Sequence, residues 1–133
     1  MSQENVELVR AAFRAFEKGD FEGVLRLCDE SIEITQPPEL PDVSPRQHGH
    51  AGVLEAFAIW PEQWDDYRVE ILRITDVSDQ VVVTTVQSGR GKDSGAPVEA
   101  VFAFLFSIRG GRITEWRMFM QEAAALEGLA REG

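Results

Sequence analysis

Two histidines, His48 and His50, stand on either side of Gly49, just ahead of a helical segment. An unperturbed imidazole titrates at about 6.5, so either ring can serve as a general acid or base near neutral pH. Equally, both are ordinary polar residues of a loop that leads into a helix. A His-x-His pair can also ligate a metal, but no cysteine or further histidine completes a ligand set, and no metal is expected. The single cysteine, Cys28, follows Val24, Leu25 and Leu27 in an apolar helical run and reads as a small buried hydrophobe rather than a nucleophile.

Gln36, Gln87 and Glu99 lie in or beside strands, where each can offer a hydrogen-bonding handle. A carboxylate among phenyl rings has its pKa raised toward a useful range. Glu99, however, falls near the start of its strand and reads as solvated. A second set is apolar: Trp60, Trp64, Phe102, Phe104, Phe106, Trp116, Met118 and Met120. Any one of them is explained by a hydrophobic core. As a group they suit the walls of a pocket for a flat, greasy molecule, because indole and thioether groups adapt to such surfaces.

The elements that must hold these residues are organised around Pro97 to Met120. Two apolar, β-branched and aromatic runs joined by Gly110-Gly111 predict a hairpin at the centre of a sheet. Alternation puts Phe102, Phe104 and Phe106 on one face and Val101, Ala103 and Leu105 on the other. In the second arm it puts Trp116, Met118 and Met120 opposite Ile113, Glu115, Arg117 and Phe119. A ribbon apolar on both faces needs cover on both, so helices are expected over one side and a second subunit over part of the other.

Upstream, Val6, Val9, Phe13 and Phe16 repeat at helical spacing after Ser2, and Gly19 ends that helix. Asp20 caps a shorter helix from Phe21 to about Cys28, and a strand follows from Ile32 to Thr35. Four prolines between Gln36 and Gly49 predict a stiff, extended loop of functional length. A third helix from Ala51 to Trp60, strands at Tyr67 to Thr75 and Val81 to Ser88, and a terminal helix from Gln121 to Arg131 complete the order.

The chain's 133 residues fit a single domain spanning 1–133 and are enough for a sizeable core. A net charge of -10 argues against a nucleic-acid partner, whose affinity would need clustered Lys and Arg. One cysteine forms no internal disulfide, the first residues lack the pattern of a signal peptide, and no apolar run reaches the roughly 18 residues of a membrane span. A cytoplasmic location is expected, with no membrane partner.

The element order, with Gly19-Asp20-Phe21, the loop Gln36-Pro37-Pro38-Glu39-Leu40-Pro41-Asp42 and the ending Gly111-Arg112-Ile113-Thr114-Glu115-Trp116-Arg117-Met118-Phe119, resembles the SnoaL-like branch of the nuclear transport factor 2-like (NTF2-like) superfamily over essentially the whole chain. The resemblance implies an α+β cone: three N-terminal helices packed on a curved antiparallel sheet, a short C-terminal helix, a mostly apolar pocket, and usually a homodimer through the sheet. It fixes fold better than activity. The ketosteroid isomerases of the superfamily use a carboxylate base, a helix-one tyrosine and a strand carboxylic acid; the matching positions here are Thr35 or Gln36, Ala12 and Phe104. No steroid-type isomerisation is expected from those residues. The Arg-Asp constellation of the epoxide hydrolases is not visible either, since Arg90 and Asp93 fall in a Gly-rich loop.

The expectation is therefore a protein that takes a small, largely apolar organic molecule into its cone, with no cofactor. If it is an enzyme, of isomerase, cyclase or hydrolase type, His48 is the first candidate for acid-base work, because the family's loop borders the cavity mouth there. Gln36 would then orient the substrate, and Trp60, Trp64, Phe102, Phe104, Phe106, Trp116, Met118 and Met120 would line the site. The alternatives are a non-catalytic ligand-binding or sensing module, or an interaction scaffold.

Overall fold

The computed structural model describes residues 3–37, 46–57 and 64–132. The apolar repeat of the first segment becomes α1 (Gln3–Lys18), which buries Val9, Ala12, Phe13 and Phe16 along one stripe. Gly19 stops it at a positive φ of 75°, a conformation that costs a residue without Cβ little. The Asp20 carboxylate then accepts from the Gly23 amide at 3.0 Å and caps α2 (Phe21–Leu27). The chain turns directly into β1 (Cys28–Thr35), earlier than the expected start at Ile32. A three-residue strand, β2 (Arg46–His48), leads into α3 (Gly49–Phe57), which begins two residues before the expected Ala51. There follow β3 (Trp64–Val77), β4 (Gln80–Gly91), β5 (Pro97–Arg109), β6 (Arg112–Phe119) and α4 (Glu122–Glu132).

The six strands form one sheet in the order β2-β1-β6-β5-β4-β3. It is mixed rather than antiparallel throughout, because β1 and β6 run parallel with Ile34 beside Trp116. A parallel pair needs a long crossover, and here the rest of the fold supplies it. The helices also do not all precede the sheet: α3 enters only after β1 and β2, and it packs on them. The β2 segment lies within the stretch expected to be a loop; the four prolines of that stretch drew attention away from three non-proline residues, whose backbone N–H groups allow a strand.

Phe102, Phe104 and Phe106 all face α1 and join the main core with Val81, Val83, Ile32 and Ile34. The expected split of β6 needs correcting. Ile113 and Trp116 share the core face, although their spacing of three should separate them, because the register shifts between Ser107 and Ile108 and leaves Thr114 as an extra residue. The other face carries a smaller core, in which Val82, Ala103 and Leu105 meet Ala125 and Leu129 of α4. Arg73 Nε donates to Glu122 at 2.7 Å and Thr84 Oγ1 donates to the same carboxylate at 2.6 Å, clasping the start of α4 to the sheet.

Candidate ligand site

On the face toward α1, the interior divides into two ends of different character. Where β6 begins, rings fill the space between helix and sheet: Phe13 lies 5.2 Å from Phe104, 5.7 Å from Phe106 and 6.0 Å from Trp116, all nearly edge to face. Phe106 and Trp116 stand 4.9 Å apart. Such geometry suits aromatic quadrupoles and makes this end a packed core. Three of the expected lining residues, Phe104, Phe106 and Trp116, are thus brought together mainly with one another and with Phe13.

Toward the end where β1 and β6 finish and β5 starts, the same face turns polar. Tyr67 Oη donates to Gln87 Oε1 at 2.6 Å, Gln87 Nε2 donates to Thr85 Oγ1 at 3.5 Å, and Thr85 Oγ1 donates to the Phe102 carbonyl at 3.2 Å. Thr85 and Gln87 are buried. Trp64 borders this chain of groups with its ring 5.7 Å from that of Tyr67. Gly89 makes room for the indole, since a Cβ there would come within 2.9 Å of Trp64 Cε3. Gln87 was recognisable as a handle from the sequence; Tyr67 and Thr85 were not. The available signal was in β4, where the buried alternation Val81-Val83 continues as Thr85-Gln87.

Gln36 follows β1 on the same face, two residues beyond Ile34, and is only 5% exposed. Its Nε2 is sealed from solvent and has no hydrogen-bond partner among the described residues. The register that places Thr35 beside Arg117, carried one residue past the end of β1, sets Gln36 level with Met118, which pairs with Phe104. Met120 lies past the end of β6 and is 39% exposed. Trp60 falls outside the described residues.

His48 stands elsewhere. It pairs with Glu33 across β1 and β2, its Nδ1 is 2.5 Å from Glu33 Oε2, and its side chain is 67% exposed. Directly paired residues share a face, so His48 and Glu33 point away from Ile34 and the main core. His50 Nε2 meets the Cys28 carbonyl at 3.1 Å and ties α3 to β1. Burial pushes the Cys28 thiol up to about 12, so it stays protonated and inert. Glu99 is exposed, as its position in the strand suggested.

Among the described residues, no group of three or more His, Cys, Asp or Glu is placed to hold a metal ion. The described residues line at least two open grooves. One, of about 330 Å³, runs between α1 and β3 over Phe13, Val69 and Ile71. The other, of about 440 Å³, is rimmed by Arg68, Arg90 and Glu99. Neither contains Gln36 or His48.

The α+β fold, with helices against a mixed six-stranded sheet, agrees with the NTF2-like fold. The model of the SnoaL-like domain matches residues 9–116, and the chain belongs to that family. Comparison with curated proteins gave no match. Among solved structures, the chain is similar to TerC co-crystallised with polyporic acid, at 23% identity over 94% of this chain and 97% of that one, with a TM-score of 0.79. An NTF2-like protein from Burkholderia xenovorans is 25% identical over 96% of each chain, with a TM-score of 0.71. A protein of ketosteroid isomerase-like fold from Catenulispora acidiphila, in complex with trimethylamine, is 18% identical over 91% of this chain and 90% of that one, with a TM-score of 0.74.

Proposed function

We propose that the chain binds a small, largely apolar organic molecule at the polar end of its inner face, between Gln36, Phe102, Met118, Trp64 and Tyr67. The observation that carries this reading is the hydrogen-bonded chain Tyr67-Gln87-Thr85, in which half-buried Tyr67 leads to buried Gln87 and Thr85, on a face otherwise made of aromatic and aliphatic groups. A core that needed only to be solid would be cheaper without it, since every buried polar group must be satisfied at the expense of packing. Apolar walls with a few oriented polar groups are what small-molecule sites are made of. The co-crystallisation of TerC with polyporic acid is in keeping with an organic ligand in this fold.

Binding without catalysis is the favoured form of the proposal. His48, the candidate proton carrier, engages Glu33 on the face away from the main core. A proton shuttle must come within hydrogen-bond reach of the reacting atom or act through one water. The protein is further proposed to act in the cytoplasm as a homodimer through the sheet's other face, where Val101 is 50% exposed.

Calorimetric titration with 2-ethylnaphthalene tests the binding reading. Saturable binding at one site per chain, unchanged in His48→Ala, supports it; absence of saturable binding both of this hydrocarbon and of its ketone and carboxylate analogues overturns it.

A further inference from the structure

Gln36 Nε2 is a hydrogen-bond donor sealed inside the protein with no acceptor among the described residues. Desolvating such a group without a partner is unfavourable, and a chain folding only for stability would place a Leu or Met there. We infer that Gln36 is the recognition group for a neutral carbonyl oxygen of the ligand, which makes the ligand class a flat, uncharged aromatic ketone or amide rather than a carboxylate or an amine. This rests on the reading of the inner face as a ligand site and specifies its chemistry.

The charge argument comes from the surroundings. Along the sheet Gln36 is followed on its own face by Met118, Phe104 and Val83, and behind it lies Ile34. None carries a charge. A carboxylate brought here would lose its hydration to a single neutral N–H, and an ammonium would meet a donor where it needs an acceptor. A carbonyl asks for one good donor, and Gln36 offers one. Because Nε2 is sealed, the oxygen reaches it by displacing a neighbour. Met118, unbranched and with soft rotamers, is the side chain beside it best suited to move.

The test compares three probes of one shape: 2-acetylnaphthalene, 2-ethylnaphthalene and 2-naphthoate, titrated into the full chain and into Gln36→Met. The wild-type protein should bind the ketone about tenfold tighter than the hydrocarbon, the scale of one well-made buried hydrogen bond, and 2-naphthoate most weakly. Gln36→Met should erase the preference while keeping the hydrocarbon. The infrared carbonyl stretch of the wild-type ketone complex should shift to lower frequency, a readout that does not depend on the variant folding. Equal binding of ketone and hydrocarbon by wild type, or a preference that survives Gln36→Met, overturns the assignment of Gln36 and leaves the ligand site standing. Binding of none of the three overturns both.

Discussion

The amide of Gln36 sets up a trade between stability and recognition that can be measured without any ligand. Replacing an unpartnered buried donor by an apolar group of similar shape removes a desolvation penalty. Gln36→Met is therefore expected to stabilise the fold by about 1 kcal/mol, or raise its melting temperature by about 4 °C, in thermal and urea unfolding. Tyr67→Phe should act the other way. It removes the proton donated to Gln87 Oε1 inside the fold and should cost about 1–3 kcal/mol by the same measurements. Both sites illustrate how residues were legible from the sequence. Gln36 and Gln87 stood out because a polar residue beside an apolar strand is conspicuous. Tyr67 and Thr85 did not, since aromatic and β-branched residues are common in strands and only the register reveals that they touch Gln87. His48 shows the converse. Its type announced chemistry, but the three-residue strand that turns it outward lay inside a proline-rich stretch.

At the scale of elements, alternation and glycine punctuation located α1, α2, both central hairpin arms and α4 closely, because each depends on local periodicity. What periodicity could not supply was pairing. The parallel contact of β1 with β6 joins residues some eighty positions apart, and the extra residue at Thr114 resets the faces of β6. The α4 clasp yields a prediction at this scale. Hydrogen bonds first from Arg73 and then from Thr84 hold the Glu122 carboxyl below the usual carboxylate range. A group whose pKa is lowered on folding contributes to stability above its unfolded value, and the contribution is lost as pH falls through its folded value. Amide protection of α4 in hydrogen exchange should therefore be full at neutral pH and drop on acidification below the carboxylate range. In Glu122→Gln it should be lower at neutral pH and lose that pH dependence; unchanged protection in the variant would show that the apolar contacts of Ala125 and Leu129 suffice alone.

For the whole molecule, two faces of one sheet carry two proposals. The outer face, partly covered by α4, leaves Val101 exposed beside half-buried Val86. If it joins two copies, Val101→Asp should convert a dimer to a monomer in sedimentation at micromolar concentration, whereas a wild-type monomer would dismiss the interface. The β3 edge is unsuited to that task. Two register shifts bend it, and the Glu17 carboxylate occupies the Val69 amide at 2.7 Å. The inner face carries the central claim, and the two methionines near the end of the chain report on it separately. In protein labelled with ¹³C-methyl methionine, adding 2-ethylnaphthalene should shift the Met118 methyl through the ring current of a molecule lodged beside Gln36 and leave the exposed Met120 methyl in place. A response at Met120 alone, or none at Met118 on saturation, would contradict a ligand site on this face.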